Sequence, residues 1–188
     1  MDEFIAANER PRPSVELTTV VGSFLCWDET GGHGQVLNHG NAGLPFALET
    51  EQHFHGNLLR RDLHRIFGRP IAPDFSITGP YLKSLQHYIG SPDDIWRCAS
   101  MVSFERHAEL VITALWQRLA ALFDVDKDSL EYFTTHVGGD DAAEDYHVQM
   151  TERLIDRIVT GEEVDRFLGA FDTCFTLHLD WSADICRA

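Results

Sequence analysis

Long hydrophobic runs are missing from this chain: nothing approaches the roughly 18 consecutive apolar residues that a membrane-spanning helix needs. Its start, Met1-Asp2-Glu3, has none of the basic residues of a secretory leader, so a cytoplasmic protein with no membrane partner is expected. Cysteine is scarce as well. Cys26, Cys98, Cys174 and Cys186 are scattered, with neither CxxC spacing nor the density of a disulfide scaffold, and reduced thiols are expected. Basic residues are outnumbered two to one, 15 Lys and Arg against 30 Asp and Glu, for a formal net charge of −15. A mean field of that sign repels a phosphate backbone, so no nucleic-acid partner is expected. Strand signals are almost absent. So are the GxSxG elbow, the GxxxxGKS/T phosphate loop and a GxGxxG turn opening a helix, which removes the commonest hydrolase and nucleotide-binding grammars.

What is present is enough for one core. With 188 residues and 44 % apolar content, the chain reads as a single domain, residues 1–188. Its first 45 residues are irregular and Gly-rich; within them Val15 to Trp27 fits either a short helix or a strand. Residues 46–184 read as an all-α bundle of about six or seven helices. Leu48 to Phe67 is expected to be one helix closed by Gly68 and Pro70, and Pro80 to open a short one ending at Gly90. Ser91-Pro92-Asp93-Asp94 predicts an N-cap at Ser91 for a long helix whose stripe runs Phe104, Ala108, Val111, Leu115, Leu119, Leu122. Asp126 to His136 should form another helix, stopped by Gly138-Gly139. Capping-box patterns at Asp141–Glu144 and Thr160–Glu163 predict two more, the last running to about Asp184.

Ten histidines in a chain of this length invite a search for metal ligands. Helical bundles build such sites from Glu, Asp and His on different helices, because carboxylates neutralise the cation and imidazole supplies a neutral donor. The densest stretch is His136-Val-Gly-Gly-Asp140-Asp141-Ala-Ala-Glu144-Asp-Tyr-His147. Within it Glu144 and His147, three apart, share one side of a helix whatever Gly138 and Gly139 do. Glu105 lies mid-helix between Phe104 and Ala108, where a carboxylate is costly to bury without a partner. Glu49, Glu51, His53 and His55 form a third cluster, in which Glu51 and His55 are an i, i+4 pair able to chelate one ion from one helical face. His33, His39, His64, His87, His107 and His178 read as structural or surface residues.

The order of these clusters resembles the heme-oxygenase-like diiron oxidases and oxygenases and, more distantly, PqqC-like and TenA-like proteins. The resemblance covers roughly Glu49 to Asp184. Phe104-Glu105 on a long helix, followed by Tyr132-Phe133-Thr-Thr-His136-Val-Gly-Gly-Asp140, is similar to the family's middle Glu and to the start of its late His-xxx-Asp-xx-His motif. His55 to Gly68 is similar to the stretch that begins with its early His. Two departures stand out. Position 143, where the motif predicts its last His, is Ala143, with His147 one turn later; and position 48, where the early Glu is expected, is Leu48, with Glu51 or Glu49 as substitutes.

The resemblance implies a heme-oxygenase-like bundle holding two Fe(II) ions per chain through Glu51, His55, Glu105, His136, His147 and either Asp140 or Glu144. It also implies O2 as co-substrate, an unidentified electron donor, a homodimer, and oxidation of a small amino-acid-like or fatty-acid-like metabolite of specialised metabolism. Arg60, Arg61, Arg65 or Arg106 would meet the carboxylate of an anionic substrate. The alternatives are a metal-free PqqC-like or TenA-like enzyme and a non-enzymatic helical interaction protein.

Overall fold

The computed structural model describes residues 13–139 and 144–187, without the side chains of 144 and 145. Among these residues there is no strand, and the all-α class is what the sequence leads one to expect. The elements are α1 (Pro13–Glu29), α2 (Gly32–His39), a 3-10 segment (Gly40–Leu48), α3 (Thr50–His53), α4 (His55–Phe67), α5 (Phe75–Ile89) and α6 (Asp94–Phe123). After a 3-10 turn (Lys127–Ser129) come α7 (Glu131–Val137), α8 (Glu144–Ile158), another 3-10 turn (Gly161–Glu163) and α9 (Val164–Arg187). No helix among the described residues is long and apolar enough to cross a membrane.

The 30-residue α6 is the spine. Asp93 caps it, its carboxylate accepting from the amides of Ile95 at 3.0 Å and Trp96 at 3.3 Å. The expected cap Ser91 instead accepts from the amide of Asp93, so the helix starts two residues later than the Ser-Pro signal suggests. Along its first half, Ile95, Cys98, Ala99, Met101 and Val102 pack with Val21 of α1, Leu154 and Ile158 of α8, and Phe167 and Ala170 of α9. Near its far end, Trp116 packs with Leu130 and Phe133, flanked by Leu59 and Ile66 of α4. Glu105 lies between these two cores. The expected stripe is shifted, because Leu115 and Leu122, 48 % and 62 % exposed, lie off the buried face while His107 lies on it.

Three other expectations are corrected by backbone geometry. Residues 13–45, expected to be irregular apart from Val15 to Trp27, are largely helical. Gly31 and Gly40, at φ +77° and +59°, stop one helical segment and start the next instead of marking a long loop. The single helix expected over Leu48 to Phe67 is interrupted at Phe54, which is extended (φ −67°, ψ 118°) and separates α3 from α4. Pro80 lies inside α5, whose start is set by Asp74 accepting from the amide of Ser76. The capping box at Thr160 and Glu163 is present as expected, leading into α9.

Candidate metal centre

The centre is built around the last turn of α1, where Asp28 and Glu29 are adjacent. Consecutive helical residues point about 100° apart, so the two carboxylates face different partners. Acids at a helix C-terminus also oppose the negative end of the helix dipole, at a cost of roughly 0.3–1 kcal/mol each near a surface. The turn that follows needs glycine: a Cβ on Gly31 would lie 2.2 Å from the carbonyl oxygen of His53, and one on Gly32 would strike the ring of Trp27 at 2.5 Å. That close approach brings the His53–His55 segment against the end of α1.

Glu29 faces two imidazoles. Its carboxylate lies 3.4 Å from Nδ1 of His55 at the start of α4 and 3.6 Å from Nε2 of His136 in α7. One ligand atom from each of the three residues lies within 4.8 Å of the other two. Burial pushes the Glu29 carboxyl up, but the two imidazoles beside it outweigh this and hold its pKa below the ordinary carboxylate range. The two rings pack edge to face with centroids 4.6 Å apart. Asp62 of α4 docks the helices that carry them: buried, it accepts from the amides of Glu131 at 2.9 Å and Tyr132 at 2.8 Å, capping α7 from a distance. Desolvation raises the Asp62 pKa despite these two bonds.

The ring of His136 is oriented from behind. Its Nδ1–H donates to the carbonyl of Tyr132 at 2.7 Å, which leaves Nε2 facing Glu29. His147 of α8 is treated the same way with the nitrogens exchanged. Nε2 is bonded at 2.7 Å to the fully buried carboxylate of Asp28, and Nδ1 lies 3.4 Å from Oε2 of Glu105. Asp28 also approaches His33, Oδ1 to Nδ1 at 3.3 Å, and Phe24 sets its ring edge to face against both His33 and His147. Three of these buried atoms, Asp28 Oδ1, His33 Nδ1 and His55 Nδ1, make no hydrogen bond among the described residues although each has an ionisable partner within 3.4 Å. Orphaned polar atoms of this kind are expensive unless another group satisfies them.

Glu29, Glu105, His136 and His147 line one cavity of about 980 Å³ whose other walls include Leu25, Met101, Phe104, Ile112, Val137 and Val148. The side chain of Glu29, 49 % exposed, contributes to that wall. A smaller cavity of about 380 Å³, lined by Gln35, Asn38, Gln52, His53, Arg61 and Thr134 among others, also reaches His55. Of the arginines expected to meet a substrate carboxylate, Arg106 lines the large cavity but is paired with Glu109 and Glu152. Arg61 is held by Glu131, Arg65 by the carbonyl of Ser129 and Arg60 by Asn57.

From the expected set the structure sets His55 and His136 against Glu29, and separately pairs Glu105 with His147. It leaves Glu51 out. The break at Phe54 destroys the i, i+4 face that Glu51 and His55 would have shared, and Glu51 is exposed, as is Glu49. The carboxylate beside His55 is instead Glu29, from the end of α1. Asp140 lies outside the described residues, and so does the side chain of Glu144. Asp28, Glu29 and His33 were missed because Asp28-Glu29-Thr30-Gly31-Gly32-His33 reads as a polar loop. Its one signal was a pair of acids ending an apolar segment, where the helix dipole disfavours them. No family model matches the chain, nor does any curated protein or any solved structure.

Proposed function

We propose that this protein is a non-heme iron enzyme, an oxidase or oxygenase of the heme-oxygenase-like diiron type, acting on a small, largely apolar metabolite with O2 as co-substrate. The observation that carries the reading is the convergence of Glu29, His55 and His136, with the outward nitrogen of His136 fixed by the Tyr132 carbonyl. Mixed imidazole and carboxylate donors suit Fe(II), and the orphaned atoms at His55 and Asp28 are what a cation would satisfy. Glu29, His55 and His136 would hold one ion; Glu105 and His147 would hold a second, with Asp28 fixing the His147 ring. Iron so held supplies one-electron redox chemistry and a binding place for O2.

The protein's own residues do the remainder. The apolar wall from Leu25, Met101, Phe104, Ile112, Val137 and Val148 accepts the body of the substrate and displaces water from the face that Glu29 and Glu105 share. Arg106 is the cation on that wall, and an anionic substrate end would have to compete there with Glu109 and Glu152.

The test is anaerobic titration of the apoprotein with Fe(II), followed by exposure to O2 and a count of iron retained per chain. Two irons per chain, with a transient visible absorption on adding O2, are expected. Glu29→Ala should remove one iron, and Glu105→Ala should weaken the other. A wild-type protein that binds no Fe(II) more tightly than a weak chelator does would overturn the proposal.

A further inference from the structure

A second group of buried histidines lies away from the carboxylates, between α5, α6 and α9. Its centre is His178, fully buried, with Tyr81, Ser103 and His107 around it. The phenol of Tyr81 is 3.0 Å from His178 Nδ1, and the hydroxyl of Ser103 is 3.2 Å from Nε2. The direction of the protons follows from Ser103. Its single hydroxyl proton is donated to the carbonyl of Ser100 at 3.0 Å, so its oxygen accepts from Nε2–H of His178. Nδ1 is then a lone pair, and Tyr81 donates its O–H to it. The bland account is a core histidine with both nitrogens satisfied. What it leaves unexplained is the run of aromatic groups on either side.

Phe104, which lines the large cavity beside Glu105, meets the ring of His178 edge to face at 6.0 Å. On the far side Tyr81 stacks on Trp181, with centroids 4.6 Å apart and planes 15° from parallel. Trp181 is only half-buried, and its indole N–H donates to Thr78. An unbroken series of rings thus runs from the cavity through Phe104, His178 and Tyr81 to Trp181 near the surface. Its one phenol already donates its proton to a neutral imidazole.

We propose that Tyr81 is a redox-active residue, oxidised by one electron with transfer of its proton to Nδ1 of His178, and that Trp181 is the point where an external one-electron donor restores it. The inference rests on the iron reading for its oxidant, the iron site after its reaction with O2. One electron passes from the phenol to that site, the O–H bond breaks, the proton forms an N–H bond on His178, and a neutral tyrosyl radical remains. An electron arriving through Trp181 and the return of the proton from His178 restore the phenol. Burial supports the neutral starting pair, since it pushes the Tyr81 phenol up to about 12 and the His178 imidazolium down to about 4.

The pair can be tested without iron. Metal-free protein is irradiated with ruthenium tris-bipyridine and persulfate, which together generate a one-electron oxidant, then frozen and examined by electron paramagnetic resonance. A tyrosyl signal is expected in the wild type and in Tyr88→Phe, Tyr132→Phe and Tyr146→Phe, and lost in Tyr81→Phe. His178→Leu, which removes the proton acceptor, should slow its formation on the order of a hundred-fold; circular dichroism checks that both variants are folded. A signal that survives Tyr81→Phe overturns the proposal, as does its absence from the wild type. Repeating the experiment with Fe(II) and O2 separates the two ideas. A light-generated Tyr81 radical in a protein that binds no iron keeps the redox pair but overturns the iron reading and the route to it. Iron and O2 reacting with no Tyr81 radical in wild type overturns the relay and leaves the iron reading standing.

Discussion

The two groups of buried imidazoles in this molecule differ in what faces them. His55, His136 and His147 have a nitrogen within 3.6 Å of a carboxylate. His107 and His178 meet hydroxyl groups, those of Ser182, Ser103 and Tyr81, and each other's rings, stacked 5.0 Å apart. A hydroxyl satisfies a neutral imidazole completely and asks for no ion. The carboxylates of Asp28 and Glu105, buried beside imidazoles, carry negative charge that protons or a metal cation can offset. Similar side chains, buried in one fold, are thus prepared for different work by their second neighbours.

The largest effect that would sharpen this contrast is on metal affinity. Glu29→Ala or His136→Ala should lower Fe(II) affinity by about a hundred-fold or more, because each removes a donor and not merely a supporting group. Isothermal titration in an anaerobic cell measures it, and His178→Gln should leave the same curve unmoved. If His178→Gln matches Glu29→Ala, the division between the groups is wrong. Asp28→Asn comes next. Its amide would donate to Nε2 of His147, forcing the proton onto Nδ1 and turning an N–H towards Glu105. Affinity of the second site should fall by about 10- to 100-fold, with the first unchanged. A drop at both sites alike would mean that Asp28 supports the fold and not a tautomer.

Stability against pH reads the hydroxyl-facing group. Burial, with His107 beside it, pushes the His178 pKa down to about 4, against about 6.5 for an unfolded chain. The folded protein prefers the neutral ring, so this contribution is whole above pH about 6.5 and drains as the pH falls towards 4. It amounts to about 3 kcal/mol at most. His107, whose pKa burial also lowers, adds in the same direction. Urea unfolding of the apoprotein at several pH values from neutrality down should show a steeper loss in wild type than in His178→Gln; parallel profiles would contradict it. The smallest effect expected is none: Glu51→Ala, at an exposed position cut off from His55 by the break at Phe54, should leave iron stoichiometry and stability unchanged.

Much of the fold was legible. The glycines that end α4 and α7 and the capping box that opens α9 are local, and local rules found them, whereas the starts of α4, at the Phe54 break, and of α7, against Asp62, were not found. The errors share a physical cause. Phe54 carries no breaking residue type, and the extended backbone there is imposed where the chain passes close against Gly31. The stripe of α6 was misplaced because its two halves pack on different cores, so no single periodic face is buried along its whole length.

By itself the sequence determined that this chain would be helical, where most helices end, and that His55, Glu105, His136 and His147 were worth watching, since periodicity, capping and residue chemistry are properties of short stretches. Only the tertiary structure decided which acids join them. Asp28 and Glu29 reach His147, His136 and His55 across 119, 107 and 26 positions of chain. No spacing rule spans such gaps; helix packing and the close approach at Gly31 do.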